Sequence, residues 1–530
     1  MLSAPLINPL PLAKTMAAAL ILFGASVTEA HQSSLHRSMV KLSADESSTP
    51  RSAPAKQTRS LSLDFIDAET GQPMAATVRI TDLVSGKKWW PKDWTRSHAM
   101  RRMQDWWSLA SGTALELPNG EVEIEAIGGL TIKLNHFYRP QQQHWWGGNT
   151  HLHMFSVSRG YADRYLQVVP RADGLDTVYV SHLERVKVDE TYVSNQYSAT
   201  DMQELSNSVI SYGYGQETRH NFGEYGQGYG HALLLDIPKL IQPVSIGQSL
   251  TAKGADYPPL APSLRAADKA GGTVVWAHND FGMEDIPNWL NGRIHALNSF
   301  DGGDRTHYEQ SFYRYLDVGL RVPFSSGTDW FMLDFARAYV YGRHKPDAEG
   351  WLKALRQGRS YITNGPLLEF SANEKMIGDT LNIDSETSKV SISAKALGRT
   401  DFKKLELIFN GDVVYSVASE ALNGHFQATM NYDFVADSSG WLAVRIPWHN
   451  NKNEMGEVLR AHTSPIYLQV DGKAHFKPWV ARGLVAEMRD SIDRITHEGE
   501  FESPTQRASV IKVYQRAIQQ LDEKISALHD

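Results

Sequence analysis

The feature that most restricts how this 530-residue chain can fold is the change of its apolar period along its length. From Leu61 the period is two: Leu61, Leu63 and Phe65 alternate with polar residues. Thr70-Gly71-Gln72-Pro73 then turns the chain, and Val78 and Ile80 alternate again. Pro118-Asn119-Gly120 leads into Val122 and Ile124. Such alternation marks strands with one buried face. It predicts a small N-terminal β-sandwich over 61–140, with a Trp-rich insertion (Trp89, Trp90, Trp94, Trp106, Trp107). From about 145 to 365, short apolar runs alternate with helical patterns. The runs at 175–180, 231–235, 273–277, 294–299 and 322–326 predict strands, and 199–211, 263–271, 307–320 and 348–357 predict helices. This succession favours a parallel α/β sheet or barrel. In a (β/α) barrel the active site lies at the carboxyl ends of the strands. Over 367–475 the period returns to two, through Val390, Ile392 and Ala394, then Leu405, Leu407 and Phe409 before an Asn410-Gly411 hairpin turn. That segment reads as a second β-sandwich. A helical tail closes the chain over 476–530. Val480, Leu484, Val485, Met488, Ile492 and Ile495 recur at a spacing of three to four, and Ser503-Pro504-Thr505-Gln506 opens a second helix. The fold class expected is multidomain α/β plus β.

The N-terminus has the pattern of a secretory signal over 1–30. Lys14 precedes an apolar run from Met16 to Val27, and Thr28-Glu29-Ala30 resembles a small-residue cleavage site. The run is shorter than the roughly 20 residues a membrane span needs. Residues 31–60, rich in Ser, Pro and charge, are expected to be a disordered linker. An exported protein, periplasmic or extracellular, is the expectation. The absence of cysteine excludes thiolate ligands and thiol chemistry. Net charge is −7 with acids and bases intermixed, so no basic stripe points to nucleic acid. No later segment has membrane-spanning length. The apolar stripes of the tail need a partner surface, either on the chain itself or in a homo-oligomer.

The sharpest local feature is Asn149-Thr150-His151-Leu152-His153. An H-x-H at a strand end turns both imidazoles to one face, where they suit a borderline divalent cation. Further polar groups follow the apolar runs in order: His182 after Tyr179-Val180-Ser181, Glu217 in Gly215-Gln216-Glu217, His231 after Gly230, His278 after Trp276-Ala277, and Asp329 after Gly327-Thr328. Apolar strands ordinarily exit into turn residues, so this succession of histidines and acids is chemical in character.

The order resembles that of the PHP superfamily of metallohydrolases, and most nearly its carbaryl hydrolase-like (CehA/McbA) branch. The resemblance covers about 145–370, including Gly358-Arg359-Ser360-Tyr361-Ile362-Thr363-Asn364-Gly365-Pro366 near its end. It implies a distorted (β/α) PHP-type barrel over 141–366 and a binuclear metal centre. His151, His153, Glu217 and Asp329 would hold one ion, and Glu217 would bridge to a second held by His231 and His278. A third metal of many relatives is not expected: Arg159 stands where one ligand would be, and Phe331 where the final motif would place a histidine. Arg159 either supplies that cation's charge or pairs with an acid. Histidine and carboxylate ligands suit zinc, manganese or iron alike.

The expected activity is hydrolysis of an ester or carbamate bond in a small molecule, aryl substrates included, by a hydroxide shared between the two metals. Asp329 would orient the nucleophile and take its proton, and His182 would serve as general acid or as a supporting histidine. His220 is a weaker candidate. Arg159, Trp330 and Phe331 are candidate substrate contacts. Trp145, Trp146, Trp276 and Phe281 also lie beside motif residues, where they either line a pocket or pack the core. Arg159, Arg185 and Arg219 would instead suit a phosphoester on the same metals. A third reading is an exported carbohydrate- or ligand-binding protein with a degenerate site, in which no full ligand set would be retained.

Overall fold

The computed structural model describes residues 38–42, 58–89, 95–96, 105–118, 122–127, 138–222, 226–247, 254–278, 282–303, 308–332, 335–384, 389–448 and 451–527. The expected signal segment lies outside them, as do Trp90, Trp94 and Phe281.

A 16-stranded sheet organises the molecule. Its main strands, in chain order, are β1 (Trp145–Asn149), β2 (Thr177–His182), β3 (Ser211–Phe222), β4 (Gly226–Leu235), β5 (Thr273–Trp276), β6 (Ala296–Asn298), β7 (Phe324–Ser325), β8 (Arg337–Tyr341), β9 (Ser360–Thr363), β10 (Lys404–Phe409), β11 (Asp412–Ala418), β12 (Gly440–Ile446) and β13 (Ala461–Thr463). They lie in the order β7-β6-β5-β4-β3-β2-β1-β8-β9-β13-β12-β10-β11. The first seven curl into a half-barrel. A short parallel ladder, Asp329–Trp330 beside Leu152–His153, joins the exits of β7 and β1.

The expected alternation holds only in part. β1, β2 and β3 are parallel neighbours, as are β5, β6 and β7. Between them β4 runs antiparallel to both β3 and β5. Only residues 223–225 separate β3 from β4, and a parallel crossover needs a dozen or more. The predicted helix 199–211 ends at Leu205, because the chain turns at Asn207 and Ser208 and enters β3. A helix absent from the expectation, Arg159–Ala172, is started by Ser158, whose side chain accepts from Tyr161 N. It packs Tyr165, Leu166 and Val169 inward in spite of Pro170 in its last turn. The predicted helices at 263–271 and 348–357 are Ala261–Lys269 and Ala348–Arg356.

N-terminal to this sheet, Ser38–Leu42, Val122–Ile127, Ala76–Asp82, Trp107–Leu109 and Thr95–Arg96 form one sheet, and Thr58–Leu63 pairs with Thr113–Pro118. Phe65, Val78, Ile80, Leu115, Leu117 and Ile124 fill the space between. The linker expectation is therefore corrected at Ser38–Leu42 and Thr58–Ser60, which are strands. Composition cannot see that a polar segment finds backbone partners along a sheet edge. Trp107 joins that core, and Trp106 packs with Phe335 and Met455.

The C-terminal β region is sandwich-like, but one of its layers is β10–β13 of the large sheet. The facing layer contains Leu367–Ala372, Lys389–Gly398 and His425–Val435. Val390, Ile392, Leu405, Leu407, Met430 and Leu442 lie between the layers. Because β9 pairs with β13, hydrogen bonding crosses the expected boundary at 366–367 without a break. The tail forms two helices, Pro478–Glu498 and Pro504–Ser526. Leu484, Met488, Val510, Tyr514 and Leu521 are buried in the same cluster as Trp276, Trp289 and Tyr315. At roughly 1.5–3 kcal/mol per buried large apolar side chain, this packing answers the tail's need for a partner surface within the chain itself. Among the described residues, no helix is long and apolar enough to cross a membrane.

Candidate metal centre

The motif residues converge at the carboxyl ends of β1, β5, β6 and β7 and on the facing stretch of β3 and β4. Glu217 and Arg219, two residues apart on β3, share a face, and Arg219 is opposite His231 on β4. His278 follows β5 and Asp301 follows β6. The segment after β7 is locked onto β1: Thr328 N and Asp329 N both donate to His151 O at 3.0 Å, and Asn149 Nδ2 donates to Thr328 Oγ1 at 2.7 Å. Gly327 makes this approach feasible, since a Cβ there would lie 2.4 Å from His151 Cβ. His278 and Asp329 hold φ of 48° and 59°, a left-handed conformation disfavoured for side-chain-bearing residues and found where packing over-determines the backbone.

His151 Nδ1 lies 2.8 Å from Asp301 Oδ2, and His153 Nδ1 lies 2.8 Å from Ser181 O. Each Nδ1 therefore donates, and in the neutral imidazoles each Nε2 is left with a lone pair. The two Nε2 atoms nevertheless face each other at 2.9 Å. Glu217 Oε2 is 3.0 Å from His153 Nε2 and 3.7 Å from His151 Nε2, while Asp329 Oδ1 is 3.5 and 3.7 Å from the same two nitrogens in the order His151, His153. Four electron-pair donors with these separations match the edges of a tetrahedron of about 3.3 Å, which ligand bonds of about 2.0 Å produce.

Glu217 reaches a second group with its other oxygen. Oε1 is 3.1 Å from His231 Nδ1 and 3.9 Å from His278 Nε2. Asp329 Oδ2 is 3.7 Å from His278 Nε2. Two donor sets share Glu217, His151/His153/Glu217/Asp329 and Glu217/His231/His278, and a third, His151/His278/Asp301, overlaps both. Each set could hold a metal ion. Glu217 Oε1, Asp301 Oδ1 and Asp329 Oδ1 are buried and accept no hydrogen bond among the described residues. Buried polar atoms are ordinarily paired, so these orphan acceptors, with the opposed imidazole lone pairs, fit cations between them.

The electrostatics reflect the negative charge that these buried carboxylates concentrate. Burial works against the charge of Glu217, but Arg219, His151, His153 and His231 outweigh it and hold the carboxyl well below its usual range. Burial likewise opposes a charge on His151, yet Asp301 and Asp329 raise it well above the ordinary histidine value. His231 is driven down to about 3, by burial first and by Arg219 next. Asp301 is held at about 2, because His151, His278 and Asn298 overcome its burial.

Asp301 is the residue that the sequence reading missed. Its Oδ2 also accepts from Asn298 Nδ2 at 2.9 Å. The signal was present, since Asp301 follows the predicted strand 294–299 just as His278 follows 273–277. His182 does not enter either donor set; its Nε2 pairs with Glu184 Oε1 at 2.8 Å. Arg159 is committed to Asp163 at 3.0 Å and Asp201 at 2.7 Å and lies over the Tyr197 ring. The ion-pair reading of Arg159 is therefore the one observed, and its assignment to substrate is corrected. Phe331 is corrected as well: it is buried among Tyr165, Phe155 and Met332, because the chain needs an apolar anchor under the Asp329 turn. Trp145 and Trp276 are core residues, and Trp146 is half-buried with its indole N–H on Gly342 O. Trp330 is half-buried with its ring 5.2 Å from that of His153, so it does border the centre. His220 points to the opposite face of β3 and pairs with Asp256 at 2.8 Å.

Comparison with family models, with curated proteins and with solved structures finds no match for this chain.

Proposed function

We propose that the protein is a binuclear metal-dependent hydrolase of the kind implied by its PHP-superfamily resemblance, acting on an ester or carbamate. The observation that carries this reading is the division of the Glu217 carboxylate, Oε2 toward His151 and His153 and Oε1 toward His231 and His278. A carboxylate so placed would be shared by ions held in the two sets and would offset part of their charge. When bound, such a pair supplies hydroxide near neutral pH by lowering the pKa of a shared water.

The chain's own residues do the rest. Asp329 reaches both donor sets through its two oxygens, so it can orient a nucleophile between them and receive its proton. Asp301 and Ser181 O fix the His151 and His153 tautomers that leave both Nε2 lone pairs toward the centre. Trp330, with Arg185 4.9 Å above its ring, offers a flat wall beside His153 for an aryl group. His182, backed by Glu184, is the proposed proton donor to the leaving group.

Elemental analysis of protein purified without chelator tests the reading, together with hydrolysis of p-nitrophenyl acetate and an aryl carbamate. Two equivalents of transition metal and metal-dependent turnover are expected. Protein that holds no metal after reloading would overturn it.

A further inference from the structure

The donor sets do not include one charged side chain of the centre, an arginine paired with Glu217. Of the three arginines that the sequence offers to an anion, Arg159 is bound to Asp163 and Asp201, and Arg185 to Asp189 and Tyr192. Arg219 differs. Its Nε and Nη2 both donate to Asn221 Oδ1, at 3.2 and 3.0 Å, which fixes the plane of the guanidinium. Its Nη1 forms no hydrogen bond among the described residues and lies 3.5 Å from Glu217 Oε1. The side chain is only 12 % exposed.

That placement is costly unless something negative joins it. Glu217 is the carboxylate shared by both donor sets, so its charge is already opposed by two cations when the centre is filled. The carboxylates of Glu217, Asp329 and Asp301 together are outnumbered by two dications and a guanidinium, in a site that water screens poorly. Among the described residues, the second donor set, Glu217/His231/His278, brings three protein ligands together. Three ligands and an open position are the mark of a metal that takes substrate. Arg219 Nη1 stands at that open half, 3.5 Å from Glu217 Oε1, with the other nitrogens anchored on Asn221 and its own N–H groups in no hydrogen bond among the described residues.

The geometry points to Arg219 as the substrate anchor of this centre: it holds an oxyanion, the oxygen on which negative charge resides or develops, at the three-ligand half beside Glu217 and His231. The assignment rests on the binuclear reading above. An oxygen charged in the ground state would make Arg219 a binding residue felt in KM. An oxygen that becomes charged only as a carbonyl is attacked would make it felt in kcat.

The test uses the full chain reconstituted with zinc, titrated calorimetrically with inorganic phosphate as the probe oxyanion, with metal content measured in parallel. Wild type, Arg219→Met and Arg219→Lys are compared. Arg219→Met is expected to keep both metals and to bind phosphate about 10- to 100-fold more weakly, the worth of a charge-assisted hydrogen bond. Arg219→Lys should recover part of the loss, because the charge returns without the planar fork. Should the Met variant not fold, the Lys variant still decides, since it must be weaker than wild type. Unchanged phosphate affinity, or loss of metal along with it, would overturn the assignment; metal loss would show that Arg219 merely steadies Glu217. Wild type with two metals and no phosphate affinity sinks the Arg219 role alone. Wild type with no metal sinks the binuclear reading itself.

Discussion

The two faces of β3 carry two histidine–carboxylate assemblies of opposite character. On one face, Glu217 and Arg219 meet His151, His153 and His231. On the other, His220 Nε2 donates to Asp256 Oδ1, its Nδ1 accepts from Tyr229 N at 2.9 Å, and its ring stacks on Tyr229 at 3.8 Å. Asp256 Oδ2 accepts from Glu500 N at 2.7 Å, so this assembly also ties the turn between the tail helices to the sheet. Both are buried, and both contain the residue types of a metal or catalytic site. What separates them is satisfaction. Around His220 the ring nitrogens and the carboxylate oxygens have partners. Around Glu217, two imidazole Nε2 atoms crowd each other at 2.9 Å, and buried carboxylate oxygens lack donors among the described residues. A buried histidine is informative when its neighbours leave it unsatisfied, since such an arrangement persists only if something else completes it.

That contrast can be broken most forcefully at Glu217. Glu217→Gln should remove metal from both donor sets and abolish hydrolysis, by more than the roughly 100-fold that loss of a supporting hydrogen bond costs. Elemental analysis alongside turnover reads both effects, and full metal retention would refute the shared-ligand geometry. On the other face, Asp256→Ala should cost about 1–3 kcal/mol in denaturant unfolding, because the N–H groups of neutral His220 and of Glu500 lose their acceptor, while metal per folded molecule stays unchanged. The same face has a pH signature. Burial, its largest cause, holds His220 below the ordinary histidine value of 6.5 in spite of Asp256. The unfolded chain therefore binds the proton more readily, and His220 contributes stability that is present above pH 6.5 and lost as pH falls below it. His220→Gln should flatten the stability–pH curve there, and an unaltered slope would deny the assignment. Asp301→Asn should lower metal affinity about 10- to 100-fold with the fold intact, as measured by chelator competition. The smallest effect belongs to Arg159→Met, for which about 1 kcal/mol or less is expected from a half-exposed pair. Hydrolysis should stay unchanged, and a fall in kcat/KM would restore Arg159 to the substrate.

Much of the architecture was legible in the periodicity. The runs at 273–277 and 322–326, the sandwich strands around Val390 and Leu405, and the tail helices all occur where apolar spacing puts them. The antiparallel turn of β4 was not legible, since an apolar run such as Ala232-Leu233-Leu234-Leu235 is equally suited to either direction. Nor was the continuity of β9 with β13, which joins residues about a hundred positions apart.

The residues at strand ends were chemistry written into the sequence: His151, His153, Glu217, His231, His278 and Asp329 could be named because an apolar strand leaves few reasons for a histidine or acid at its exit. Only the tertiary structure decided which of the charged candidates share one space. It brought Asp301 to His151, turned His220 away with Asp256, locked Arg159 to Asp201 and left Arg219 beside Glu217. The physical reason is that spacing along a chain sets the face of a strand on which a side chain stands. Whether that side chain finds a partner, and which one, depends on the register and curl of strands distant in sequence.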